Sequence, residues 1–170
     1  MPADTLDIRD AIAGDAAHIA AIYNAHVRAT IVTFELVDVA AAEMGARIAQ
    51  VQGAGLPWLV VVRRGIVQGY AYAAPWKSRA AYARTVETSI YLAPAIAGRG
   101  QGKRLYAALI ERLRAAGMHV AIGGASLPNA ASAALHEGLG FRQVGVFQEV
   151  GHKFGGWIDV GYWQLRLEAT

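Results

Sequence analysis

Residues 86–113 read VETSIYLAPAIAGRGQGKRLYAALIERL, a strand, then a glycine-rich turn, then the start of an amphipathic helix. Gly98, Gly100 and Gly102 stand at alternate positions just before Leu105, Ala108, Leu109 and Leu113 begin a helical stripe. Such a turn can aim consecutive backbone N–H groups at one anion. Unpaired amides at a helix start, with the positive end of the helix dipole behind them, suit a phosphate. Arg99, Lys103 and Arg104 add cationic side chains around the turn. A Walker A loop would need Gly at Ala97 and Ser or Thr at Arg104, and the dinucleotide fingerprint begun at Gly98 would need a third glycine at Lys103. Both fail on spacing. A glycine-rich turn that holds no ligand is the plain alternative.

The rest of the 170 residues is read outward from that turn. The length fits one domain over residues 1–170, able to bury a core. Hydrophobic residues make up 55% and charged residues 17%, yet no apolar run approaches the roughly 18 residues that cross a bilayer. The start, MPADTLDIRD, lacks the pattern of a secretory signal. There is no cysteine, which removes disulfides and thiolate chemistry, and a cytoplasmic protein is expected. The net charge of +3 is gathered partly near the glycine turn, so it is assigned to a small polyphosphate ligand in preference to nucleic acid.

Residues 6–9 read as a first strand, and Asp15 as the cap of a helix carrying Ile19, Ile22, Tyr23, His26 and Val27 on one face. Residues 30–35 interrupt the helical pattern, and 39–51 resume it. The apolar runs 58–63 and 66–74, separated by Arg64-Gly65, read as a hairpin. A polar, aromatic loop, 75–84, leads to the strand 86–92. After the glycine turn and its helix come a strand at 118–123, a short helix at 129–139 closed by Gly140, and strands at 141–150 and 157–167 around a glycine-rich connection. The order β-α-α-β-β-β-α-β-α-β-β predicts a mixed α/β (α+β) sheet of about seven strands flanked by about four helices.

Strand alternation puts Glu87, Ser89 and Tyr91 on one face and Val86, Thr88, Ile90 and Leu92 on the other. Glu87 either points to solvent from an edge or faces a cleft. In the short helix, Asn129, Ser132 and His136 share one stripe, with Leu135 and Leu139 opposite, which suits the wall of a ligand channel. Asn129 as a helix cap and His136 as a core hydrogen-bonder are the plain alternatives. Ser126 lies in G-A-S-L-P, which is no nucleophile elbow, and His136-Glu137 does not continue to H-E-x-x-H. No metal is expected.

Ala97-Gly98-Arg99-Gly100-Gln101-Gly102 is similar to the pyrophosphate loop of the GNAT family of N-acetyltransferases, [QR]-x-x-G-x-[GA], with Ala97 departing from the first position. The resemblance to the phosphinothricin and methionine sulfoximine branch of that family covers nearly the whole chain. It is carried by Thr33-Phe34-Glu35, Pro57-Trp58-Leu59-Val60, Pro75-Trp76-Lys77-Ser78-Arg79, Val86-Glu87-Thr88-Ser89-Ile90-Tyr91-Leu92, Asn129-Ala130-Ala131-Ser132, Leu135-His136-Glu137-Gly138-Leu139-Gly140-Phe141 and Gly151-His152-Lys153-Phe154-Gly155-Gly156-Trp157. It implies that Gly98, Arg99, Gly100, Gln101, Gly102 and Lys103 bind the pyrophosphate of acetyl-CoA. It further implies that Ile90, Tyr91 and Leu92 pair their backbone with the pantetheine arm, with Asn129 and Ser132 beside it. Lys77, Ser78 and Arg79, with Glu87, Thr88 and Ser89, would line the acceptor site. Many N-acetyltransferases have a Tyr as general acid where this chain has His136, which leaves His136 and Tyr91 as candidates.

The implied chemistry is attack of an amine on the thioester, with Glu87 as general base, directly or through one water. The acceptor would be a small anionic amino acid such as phosphinothricin, methionine sulfoximine or methionine sulfone. Two alternatives stay open: a peptide or protein N-terminal acetyltransferase, and a non-catalytic acyl-CoA-binding sensor. The aromatic end, Phe154, Trp157, Tyr162 and Trp163, points to a homodimer, with core packing as the other reading.

Overall fold

The computed structural model describes residues 6–167. One seven-stranded sheet runs in the order β1-β2-β3-β4-β5-β7-β6. The strands are β1 (Leu6–Asp10), β2 (Trp58–Arg63), β3 (Ile66–Pro75), β4 (Thr85–Leu92), β5 (Val120–Ser126), β6 (Arg142–Lys153) and β7 (Gly156–Arg166). The helices are α1 (Ala16–Ala29), α2 (Ala41–Gly53), α3 (Gln101–Ala115) and α4 (Ala130–Glu137). Every pairing is antiparallel except β4 with β5, whose crossover is the glycine turn and α3.

The helices cover the two faces of this sheet because their apolar stripes have nowhere else to go. On one side α3 buries Leu105, Tyr106, Leu109, Ile110 and Leu113. On the other, α1 buries Ile19, Ala20, Tyr23 and Val27 and α2 buries Met44, Ile48 and Val51. Asp15 does not cap α1 with its side chain. It reaches back to accept from the Ile12 N–H at 2.9 Å and takes both nitrogens of Arg9, at 2.7 and 2.9 Å.

Three differences from the sequence pattern bear on the site. β5 continues to Ser126, beyond the expected end at residue 123, and α4 is shorter, Ala130–Glu137, with Asn129 as its cap. β6 runs through Gly151 to Lys153, where a loop was expected, because register shifts at 143/145 and 147/151 let it keep pairing with β7 past irregular backbone at Glu149 (φ 52).

α4 is seated by His136. The imidazole lies against Gly123 of β5 so closely that a Cβ there would overlap Nε2. Its Nδ1 is 2.7 Å from the Ser132 carbonyl, so Nδ1 carries the proton, and Nε2 accepts from the Tyr106 hydroxyl at 3.1 Å. Tyr106 in turn meets the Thr88 hydroxyl at 2.5 Å. The chain of bonds ties α4, α3 and β4 together inside the core, and burial pulls the His136 pKa below 6.5. The unfolded chain therefore binds a proton that the folded one refuses. Stability is expected to fall as pH drops through about 6.5 toward the folded pKa and to level off below it. Urea unfolding across that window should show this loss in the wild type and a flatter profile in His136→Gln.

Candidate active site

β4 and β5 pair only from Thr85↔Val120 to Thr88↔Gly123, and beyond that point they part. The backbone of Ile90 is left facing the opening. The Ala93 N–H donates to the Gln68 carbonyl and Trp76 to Thr85, so odd-numbered residues of β4 address β3 and even-numbered ones address the gap. Leu92 shares that orientation, with its carbonyl 3.2 Å from His26 Nε2. The gap is a cavity of about 270 Å³ bordered by Ser89, Ile90, Tyr91 and Leu92 on one wall and by Gly124, Ala125 and Ser126 on the other. The cap residue Asn129 and Ser132, Leu135 and His136 of α4 close its side. Leu135 thus shares the cavity with the polar residues from which helical spacing had separated it.

The glycine turn lies at the end of this gap. Gly98 and Gly100 both have φ +74, a conformation that L side chains rarely adopt, and Gly100 is the residue from which α3 starts. α3 opens with the Arg104 N–H bonded to the Gly100 carbonyl, so the amides just before it point outward along the axis. Gly102 serves packing instead: a Cβ would come 3.1 Å from Leu92 Cδ1. Arg99 and Lys103 are exposed, and Gln101 contacts Arg104 at 3.0 Å.

A second cavity, of about 330 Å³, opens on the other face of β4. Glu87 lines it with Tyr162, Val160, Val150 and the segment 31–34, and Ser89, Tyr91, Gly124, Ala125 and Ser126 belong to both cavities. Glu87 is therefore at the junction. Burial raises its pKa above 4.5, and the opposing influence is the Lys77 ammonium. Ser126, set aside as a nucleophile, has a buried hydroxyl that finds no hydrogen-bond partner among the described residues, at this same junction. Tyr91 joins a stack that runs through Tyr70, 5.4 Å away, and meets Tyr23 edge-on at 5.1 Å.

The structure does not bring all the expected residues together. Thr88 is buried toward Tyr106 on the opposite face from Glu87. Lys77, Ser78 and Arg79 are exposed on the loop after β3 and none of them lines the Glu87 cavity, Lys77 lying with its ammonium 4.9 Å from the centre of the Trp76 ring. His136 is 3% exposed and its one ring proton is held by the Ser132 carbonyl, so a neutral imidazole here has none to offer a group in the gap. Asn129 Oδ1 caps α4 by accepting from Ser132 N–H at 3.0 Å, which leaves its amide N–H groups free for the gap. Sequence reasoning missed the 31–34 wall, although Thr33-Phe34-Glu35 was part of the resemblance. Among the described residues no cluster of His, Asp and Glu could hold a metal ion, and no helix is long and apolar enough to cross a membrane.

Comparison with known proteins agrees with this geometry. Residues 8–161 match the family described as acetyltransferase (GNAT) domain. The chain is 44% identical over 152 residues to a phosphinothricin N-acetyltransferase of Alcaligenes faecalis, covering 89% of this chain and 77% of that one. It is 40% identical over 164 residues to an L-methionine sulfoximine/L-methionine sulfone acetyltransferase of Pseudomonas paraeruginosa, covering 96% and 95%. The crystal structure of a phosphinothricin acetyltransferase from Sinorhizobium meliloti in complex with acetyl-CoA superposes with a TM-score of 0.93 at 39% identity, over 98% of this chain and 91% of that one. The chain that carries this parted sheet, glycine turn and half-buried glutamate belongs to the GNAT family of N-acetyltransferases.

Proposed function

We propose that this chain is one domain that transfers an acetyl group from acetyl-CoA to the α-amino group of a small amino-acid-like acceptor such as phosphinothricin, methionine sulfoximine or methionine sulfone. The observation that supports it is Glu87 at the junction of two joined cavities, one ending at the glycine turn and one walled by residues 31–34. The acceptor sits in the Glu87 cavity and the co-substrate in the gap.

The residues in the gap fit the co-substrate. The Ile90 N–H and C=O, the Leu92 N–H and the Asn129 amide offer a strand edge to the pantetheine arm, and the outward amides of the glycine turn, with Arg99, Gln101 and Lys103, take the pyrophosphate. Bound there, acetyl-CoA supplies the acetyl group as a thioester whose sulfur leaves as a thiolate of pKa near that of a cysteine thiol, about 8.5, so little help from an acid is needed. Glu87 removes the proton from the acceptor's ammonium, directly or through one water, freeing the lone pair that attacks. Its raised pKa brings it nearer the amine's and makes it a better proton acceptor than an exposed carboxylate. The Ile90 N–H is available to the oxygen that gains charge as the carbonyl is attacked. His136, with its proton committed to Ser132, acts in this reading by holding α4 and Thr88 in place. Lys77, whose ammonium acts on Glu87, attracts the carboxylate that all three acceptors carry.

Thiol release from acetyl-CoA, with methionine sulfone, methionine sulfoximine, phosphinothricin, ordinary amino acids and a short peptide as acceptors, tests the reading. Release with the first three is expected, falling at least about tenfold in Glu87→Gln and less in His136→Gln. The acidic limb of the rate profile should have its midpoint above the ordinary 4.5 of a glutamate and should vanish in Glu87→Gln. Release with the peptide alone would move the function to terminal acetylation, and tight acetyl-CoA binding with no release would make the chain a sensor.

A cytoplasmic setting goes with use of acetyl-CoA. We also infer a homodimer, through the β6 face. Val144, Val146, Phe147 and Val150 are exposed along that edge, beside an apolar groove of about 570 Å³ lined by Trp76, Tyr82 and Tyr162. Of the aromatic end, Phe154 and Trp157 are exposed and Trp163 is core. Light scattering should give twice the 18.0 kDa chain mass, and Phe147→Glu should return it to one.

A further inference from the structure

The segment between α1 and α2 is irregular, yet Ile31, Val32, Thr33 and Phe34 form one wall of the Glu87 cavity. With no ladder to hold it, the wall depends on side chains. The Tyr23 and Thr33 hydroxyls meet at 2.6 Å, Glu35 pairs with Arg47 at 2.6 Å, and the Asn24 side chain clamps both backbone groups of Val39, at 2.8 and 2.9 Å. The Thr33 carbonyl is claimed from much further along the chain. Lys153 Nζ donates to it at 2.8 Å, across 120 residues.

Lys153 is an unusual residue to spend on such a bond. It is 4% exposed, and among the described residues no carboxylate pairs with it; its other neighbour is the Phe154 ring, 5.0 Å away. Burying an ammonium on a carbonyl and a ring costs desolvation that an apolar side chain would avoid. Two residues earlier, Gly151 provides the notch for Phe34, since a Cβ there would overlap the Phe34 ring. The end of β6 therefore grips the wall at two adjacent points, one polar and one steric.

We propose that Lys153 and Gly151 are positioning residues for acceptor binding: they fix the 31–34 wall, and with it the Phe34 ring, and so set the size of acceptor that reaches Glu87. This rests on the acetyltransferase reading of the cavity. It assigns two residues at the end of β6, neither of which lines either cavity, a share in acceptor choice.

Lys153→Met, Lys153→Arg and Gly151→Ala test it, with thiol release and amide hydrogen exchange as readouts. Lys153→Met is expected to raise the acceptor KM about tenfold with the acetyl-CoA KM within about twofold, and Lys153→Arg, which keeps a donor, to recover most of the loss. Exchange over residues 31–35 should quicken at least about tenfold in Lys153→Met. Gly151→Ala, which displaces Phe34 but keeps the lysine bond, should lower kcat/KM more for phosphinothricin than for alanine, and it decides the matter if Lys153→Met does not fold. Unchanged exchange over 31–35, equal rises in both KM values, or a Gly151→Ala enzyme with unaltered size preference would overturn the proposal. A wild type that turns over no acceptor would instead refute the reading of the cavity, while exchange still decides whether Lys153 holds the wall.

Discussion

The architecture turns on the place where β4 and β5 stop pairing. A parallel pair left open in the middle of a sheet exposes backbone donors and acceptors that have to be satisfied. Here the pairing ends at Thr88↔Gly123, where His136 presses against the Gly123 backbone and the Thr88 hydroxyl is tied to Tyr106. Up to that point the sheet is held shut from below by a buried chain of hydrogen bonds. Beyond it the strands part, and α4 closes one side of the gap. The cleft is thus made by the same residues that pack the core, which is why a polar trio sits among Leu105, Leu109 and Trp163.

The electrostatics follow from an aromatic row of which one member, Tyr91, forms part of the acceptor cavity's floor. Trp58, Tyr72, Tyr70 and Tyr91 are stacked, the first pair 4.1 Å apart, and Tyr23 completes the row. Tyr72 of this row pairs with Ser89, two residues from Glu87 on the same face of β4. Burial raises the tyrosine pKa values as well, that of Tyr23 to about 12, so these hydroxyls stay protonated and serve as hydrogen-bond donors, as Tyr23 can toward Thr33. A single carboxylate beside such a floor feels desolvation more than its one cationic neighbour, Lys77.

Much of this was legible because its signals are local. Two-residue alternation in 86–92 put Glu87 and Ser89 on one face, and the glycines of 98–102 announced a helix start with free amides. What could not be read depends on contacts between distant residues. His136 turns inward because Gly123, thirteen positions earlier on another element, has no side chain. Trp163 is buried and Trp157 exposed because the register of β7 between β5 and β6 assigns them so. The 31–34 wall has no periodicity, and its anchors, Gly151 and Lys153, lie in a stretch whose composition reads as a loop.

The strand order carries one more consequence, for the making of the protein. β5 receives its second neighbour from β7, near the end of the chain, and β6 reaches the sheet only through β7. During synthesis the first four strands with α1 and α2 can close on one another, but one wall of the cleft stays without lateral support until residues beyond 156 have emerged. Substrate-binding capacity therefore arrives last. A chain cut short before β7 would keep five of the seven strands paired, with β5 presenting an unprotected edge, and would be a target for clearance well before it could bind a nucleotide.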